Sequence, residues 1–402
     1  MKKVKIINGL IITPYRIIKN GTLFINGNKI ESISEVDIEA PDYHVIDAKG
    51  NYVSPGFIDI HIHGGGGHDF MDATEEAYLK IAEIHAIYGT TAITPTTLTC
   101  AKADLLKAIE LYKSADKKNT KGAQFIGLHL EGPYFALSQS GAQDVRYIRN
   151  PDIEEYKEVI AYGDVIKRWS VAPELPGAIE MGKYLKSHGI IAAVAHTDAI
   201  YEEVLEAVEN GYTLATHLYS AMSGVTRRDT YRYAGVIESA FLIDAMDVEI
   251  IADGIHLPPP LLKLVYKIKG PDRIALITDA MRGAGMPEGD SILGNKDTGM
   301  KVTIENGVAI MADRSSFAGS VATTDRLVRT MVKMADIPLV EAVRMMSRTP
   351  ARIMGIEDRK GTLTEGKDAD VLIFDDNINI KMTIINGKVS YCSADFMQEI
   401  ED

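Results

Sequence analysis

Apolar and polar positions follow a period of two near both ends of the chain and a strand-then-helix rhythm between them. Near the start, Thr22-Leu23-Phe24-Ile25-Asn26-Gly27-Asn28-Lys29-Ile30 reads as a hairpin turned at Asn-Gly, a pair that readily takes positive φ. The far end repeats the pattern. Asp370-Val371-Leu372-Ile373-Phe374 reads as a strand, and Met382-Thr383-Ile384-Ile385-Asn386-Gly387-Lys388-Val389-Ser390 as a second Asn-Gly hairpin. Neither end has enough strands for a core of its own. Residues 1–52 and 359–402 are therefore expected to pack together as one small β-sandwich domain, with 53–358 inserted between them.

The insert predicts strands at 57–63, 90–97, 125–131, 166–173, 190–197, 213–219, 248–253 and 274–280. Helical stretches fall between them, among them 75–88, 101–115, 153–162, 177–188 and 201–210. Strands alternating with helices in this number indicate an α/β fold, a TIM-like (β/α)8 barrel. A third Asn-Gly hairpin over 300–311 reads as an insertion after the last barrel strand, followed by helices at 323–335 and 338–354.

Composition narrows the partners. The chain has 402 residues and a formal net charge of -13, which argues against nucleic acid or an anionic membrane as partner. Cys100 and Cys392 are too few for a disulfide framework, which suits a reducing cytoplasm. Lysines precede apolar residues at the start, but Asn8, Gly9 and Pro14 break the run, so no signal peptide is expected. No stretch is long and apolar enough to span a bilayer.

The candidate chemistry begins at Pro55-Gly56-Phe57-Ile58-Asp59-Ile60-His61-Ile62-His63. Two residues apart on a strand, His61 and His63 share a face, so both imidazoles reach one point. Gly64–Gly67 then leave that point without bulk above it. In a (β/α)8 barrel the active site lies at the C-terminal strand ends. Those ends add Glu131 from strand three, His196 from strand five, His217 from strand six and Asp279 from strand eight. Four imidazoles and two carboxylates at one mouth suit a divalent metal, zinc or iron. His129, two residues before Glu131, is expected behind the ligands, while His44, His85 and His188 read as structural and His68 as a loop residue outside the site, although it follows the glycines that border it.

These blocks resemble the amidohydrolase superfamily. Leu128-His129-Leu130-Glu131-Gly132-Pro133-Tyr134, Ala195-His196-Thr197-Asp198-Ala199, Thr216-His217-Leu218-Tyr219-Ser220-Ala221-Met222, Ile251-Ala252-Asp253-Gly254-Ile255-His256 and Thr278-Asp279-Ala280-Met281 are similar, within it, to the N-acetylglucosamine-6-phosphate deacetylase family. Relatives that bridge two metals with a strand-four lysine fit less well, because Arg168-Trp169-Ser170-Val171-Ala172-Pro173-Glu174 carries none.

The resemblance implies a cytoplasmic homodimer acting on an amino-sugar phosphate, with one or two metal ions per chain. It makes Asp279 the proton shuttle, and places His256 near the sugar hydroxyls and Arg228 near the phosphate. It also places Ala142, Ser220, Ala221, Ala318 and Gly319 around the substrate. Two positions depart from the family: Gln143 stands where many members have a histidine that donates to the acetyl oxygen, and Ser220 where they have an asparagine. Gln143 is therefore expected to polarise the substrate as a neutral donor. The competing readings are the galacto epimer or a related N-acyl amino sugar, an amidohydrolase of cyclic amides or dipeptides, and a sugar-phosphate sensor without catalysis. The sensor would have lost ligands, and none is lost.

Overall fold

The computed structural model describes residues 3–401. Both chain ends enter one continuous sheet. Its first strand, Lys3–Ile12, pairs antiparallel with Ile17–Asn26, which pairs with Lys29–Ser34. On its other edge it pairs in parallel with His44–Asp47 and Tyr52–Pro55. Tyr52–Pro55 then joins the far end, Val371 against Pro55 and Phe374 against Tyr52, and Ile380–Ile385 and Lys388–Cys392 complete the sheet. The shared buried side chains include Ile6, Leu23 and Ile46 from the start and Val371, Ile373 and Ile384 from the end. The expected boundary between 52 and 53 falls inside a paired strand, because the chain leaves this sheet only at the Pro55-Gly56 turn.

Eight parallel strand positions follow. Gln124–Phe125, Thr90–Pro95 and Phe57–Ile62 form one hydrogen-bonded group. Leu128–Glu131, Ile166–Val171, Ile191–Val194, Tyr212–Ala215, Asp247–Ile251 and Ile274–Ile277 form the other, in that order. Bridges from Thr96 to His129 and from Ile62 to Ala280 join the two groups at both margins and close a ring. The expected third strand, 125–131, is split, since Gly127 turns at a φ of 122°.

Helices pack around the ring, and their starts are written locally. Glu75–Ile87 begins at Thr74, whose hydroxyl accepts the Ala77 N–H, and Ile153–Ala161 begins at Asp152 in the same way. Val236–Leu242 and Pro259–Lys269 add two helices that the sequence reading did not name. The expected helix 338–354 is two, Leu339–Met346 and Arg348–Ile353, broken at Ser347. The break puts Pro350 in a first helical turn, where an N–H would have no partner within its own helix. The expected hairpin over 300–311 gains a third strand, Gly289–Leu293.

Candidate active site

His61 lies on the first ring strand and His63 one residue beyond it, while Glu131 ends the Leu128–Glu131 strand. His196, His217 and Asp279 lie past the ends of theirs, at φ of 46°, 31° and 49°. The strands expected to run to 197, 219 and 280 stop earlier because left-handed residues cannot extend a ladder. Tyr219 and Ala221 are also left-handed, so the segment after the sixth strand turns tightly over the mouth.

The six side chains meet in two triads, His61–His63–Asp279 and Glu131–His196–His217, all buried. Nε2 of His61 and Nε2 of His63 face each other at 3.3 Å. Asp279 Oδ1 lies 3.0 Å from His63 Nε2 and 3.5 Å from His61 Nε2. Glu131 spans both groups: Oε1 is 3.0 Å from His217 Nε2 and 3.5 Å from His196 Nε2, and Oε2 is 3.3 Å from His63 Nε2.

The electrostatics fit a cation at this point. Burial works against a charged His61, yet Glu131 and Asp279 outweigh it and push its pKa up to about 9. Burial would raise Glu131, but the surrounding imidazoles hold it well below the usual carboxylate range. The two carboxylates thus draw protons onto His61 and His63, whose Nε2 atoms face each other at the mouth, while burial holds His217 below its ordinary value. Nitrogen and oxygen donors in this arrangement suit zinc or iron.

Behind the ligands, His61 Nδ1 lies 3.4 Å from Glu249 Oε2, His63 Nδ1 3.3 Å from the Thr96 carbonyl, and His196 Nδ1 2.7 Å from the Gln139 carbonyl. His129 sits edge-on to His61 and bonds Ser170 Oγ at 2.8 Å, off the cavity wall.

A cavity of about 340 Å³ opens above the cluster. Ala142, Gln143, Ser220, Ala221, His256 and Gly319 line it, as do His63, Glu131, His196, His217 and Asp279. Ala318 is buried next to Gly319 and is absent from that wall, and His61 lies beneath it. Arg228 is not brought to the cavity. It stands exposed on the hairpin Thr226–Arg228/Tyr231–Tyr233, over the Tyr233 ring. His68 also stays off the wall.

Gln143 is held at both ends of its amide. Its Oε1 accepts the Thr99 N–H at 2.8 Å, and its Nε2 donates to Glu131 Oε2 at 2.8 Å. The expected free donor therefore has one N–H already committed to Glu131. His256 Nδ1 bonds Asp253 Oδ2 at 2.8 Å, and its ring packs on Phe317. Asp253, Leu98 and Leu293 lie at the cavity or against its lining and carry no role in the sequence reading. For Asp253 the signal was present in the Asp-Gly-x-His block.

The amidohydrolase family model matches residues 52–390. An N-acetylglucosamine-6-phosphate deacetylase of Bacillus subtilis is 35% identical over 96% of both chains. An N-acetylgalactosamine-6-phosphate deacetylase of Escherichia coli O157:H7 is 31% identical over 88% of this chain and 91% of its own. The structure of an N-acetyl-D-glucosamine-6-phosphate deacetylase mutant from Mycobacterium smegmatis, in complex with N-acetyl-D-glucosamine-6-phosphate, superposes with a TM-score of 0.89 at 28% identity, covering 97% of this chain and 100% of that one. With these six side chains at one strand-end mouth and full-length likeness of this kind, the chain belongs to the amidohydrolase family and, within it, to the N-acetylglucosamine-6-phosphate deacetylases.

Proposed function

We propose that this chain hydrolyses the N-acetyl group of N-acetylglucosamine-6-phosphate to glucosamine-6-phosphate and acetate, as a cytoplasmic homodimer in amino-sugar catabolism. The observation that carries the reading is the convergence of the two triads on the floor of one cavity. His61, His63, Glu131, His196, His217 and Asp279 would hold one or two divalent ions, zinc or iron, with Glu131 between the triads. When bound, such an ion makes water a nucleophile near neutral pH and polarises the acetyl carbonyl.

The chain's own residues do the rest. Asp279 turns Oδ1 to His63, and its carboxylate takes the proton of the attacking water and passes it to the leaving amine. His256, fixed by Asp253, holds a sugar hydroxyl. Ala142, Ser220, Ala221 and Gly319 keep the wall small enough for a pyranose, with Ala318 buried behind Gly319. Among the described residues no lysine or arginine lines the cavity, so the phosphate takes its cation from outside it, and Arg228 is the candidate. We read the ring as a (β/α)8 barrel, residues 53–358, and the terminal region, 1–52 with 359–402, as the small β-sandwich, one continuous sheet around a single shared core whose chain boundary runs on to Pro55.

The galacto epimer is the second reading, supported by the Escherichia coli relative and by Gln143 and Ser220 in the wall. Acetate release from the gluco phosphate, the galacto phosphate and unphosphorylated N-acetylglucosamine tests both. The highest kcat/KM is expected on the gluco phosphate. A preference for the galacto phosphate selects the second reading. No acetate from any of the three overturns both and returns the cyclic amides and dipeptides to consideration.

A further inference from the structure

Beneath the two triads the ring encloses an ion pair that the chemistry above leaves unused. Arg168 and Glu249 have no exposed surface. Arg168 Nη1 donates to Glu249 Oε1 and to the Ile60 carbonyl, the latter at 3.1 Å. Its Nη2 donates to Glu249 Oε2 at 2.6 Å and to Thr216 Oγ1 at 2.8 Å. A bidentate guanidinium of this kind leaves the carboxylate one orientation. The oxygen that faces upward, Oε2, is the one 3.4 Å from His61 Nδ1.

Among the four histidines of the triads, this back partner sets His61 apart. His63 and His196 turn their second nitrogen to backbone carbonyls, and His217 Nδ1 has no partner among the described residues. Of the four, only His61 is backed by a carboxylate, and an imidazole whose Nδ1–H donates a hydrogen bond to a carboxylate presents a free, more basic Nε2. We propose that Glu249 is a positioning residue: it holds His61 with Nδ1 protonated and Nε2 presented to the His63–Asp279 triad, and Arg168 fixes the carboxylate that does so. The proposal rests on the reading of a metal at that triad.

The arginine supplies the discriminating variant. A guanidinium has only donors, so in Glu249→Gln it takes the amide oxygen and turns the NH2 toward His61 Nδ1. The His61 proton then moves to Nε2, the nitrogen that would bind the ion. In Arg168→Met/Glu249→Gln the amide is free to turn, its oxygen faces Nδ1, and the original proton position returns. In Arg168→Met/Glu249→Leu no acceptor remains. Both double variants lack a buried unpaired charge, so they carry the test even where Glu249→Gln alone does not fold.

The experiment measures zinc per chain after equilibration with buffered zinc, together with the downfield Nδ1–H resonance of His61 in protein labelled with 15N-histidine. The wild type and Arg168→Met/Glu249→Gln are expected to hold two ions and show the resonance. Glu249→Gln and Arg168→Met/Glu249→Leu are expected to lose the resonance and one ion, with affinity at the His61 triad down by about 10–100-fold. Equal zinc content in the two double variants, or a loss that falls on both triads alike, overturns the proposal. A wild-type chain that holds fewer than two ions defeats the two-ion reading instead, and the resonance then decides the proposal alone.

Discussion

His196, His217 and Asp279 all sit at positive φ, a conformation that costs a non-glycine residue about 1–3 kcal/mol. The identity of these residues is legible in sequence, because each stands where an apolar strand run ends. Their backbone geometry is not, since nothing in the spacing marks a left-handed histidine. For Asp279 the expected consequence of Asp279→Asn is a kcat lower by about 10²–10⁴-fold, because the amide keeps the shape but cannot take a proton. Metal content should stay near that of the wild type, and a variant that keeps most of its kcat would remove Asp279 from the shuttle role. Gln143 is anchored between Thr99 and Glu131, which commits one of its two N–H groups and leaves the other as the donor for the substrate. Gln143→Ala is expected to lower kcat by about 10–10³-fold, the range of a lost donor at the reacting centre. Gln143→Glu is nearly the same size but puts an oxygen where an N–H now meets Glu131 at 2.8 Å, so it should also lose metal, which the alanine variant keeps. A loss confined to KM in Gln143→Ala would leave it a specificity residue.

At the scale of elements, what was legible follows from local chemistry. Two of the three Asn-Gly pairs form the two-residue loop as read: Asn386-Gly387 at φ of 50° and 71°, and Asn306-Gly307 at 53° and 73°. In the first hairpin Asn26 is still paired with Lys29, and the loop is Gly27-Asn28. Register there is set by the partner strand, whose side chains Leu23 and Ile25 must face the core, and a turn motif alone does not see that constraint. The helix Glu75–Ile87 shows a similar gap between pattern and packing. His85, read as structural, is fully buried, with Nε2 2.9 Å from the Gly64 carbonyl. Gly65 lies so close that a Cβ there would sit 2.5 Å from Nε2, which explains the glycine without invoking flexibility. Burial pushes the His85 pKa down to about 4, against the opposing pull of the Gly64 carbonyl and the Asp325 charge. The folded protein therefore holds His85 neutral, while the unfolded chain protonates it below about pH 6.5. Its contribution is full above that pH and is lost as pH falls toward 4, amounting to about 3 kcal/mol over the window. Urea unfolding of His85→Gln and wild type from pH 7 to 4 should show a smaller loss in the variant. Parallel curves would assign the acid sensitivity to other groups.

The molecule as a whole was the most legible scale, because eight strand-and-helix repeats and two strand-rich ends constrain the topology more than any one residue does. What the pattern could not supply was the polar interior, where Arg168 and Glu249 occupy strand positions that a periodicity argument assigns to apolar side chains. This architecture also couples metal binding to stability. The six side chains of the two triads come from the first, third, fifth, sixth and eighth strand positions of the ring, so an ion held there would join segments from residue 61 to residue 279. An unfolded chain presents no such site, and a ligand bound by the folded state alone stabilises it by mass action. At free zinc about a hundredfold above Kd, each ion should contribute about 2.7 kcal/mol. Tm is therefore expected to rise with the logarithm of free zinc and to fall when a chelator strips the protein. His61→Gln/His63→Asn removes two ligands of one triad and leaves Glu131, His196 and His217 intact. If two ions bind, that variant should hold about one per chain and show a shallower rise of Tm with zinc, because one linked site is gone. If its zinc content and slope match the wild type, then Glu131, His196 and His217 hold the only ion, and His61 and His63 serve the site by hydrogen bonding.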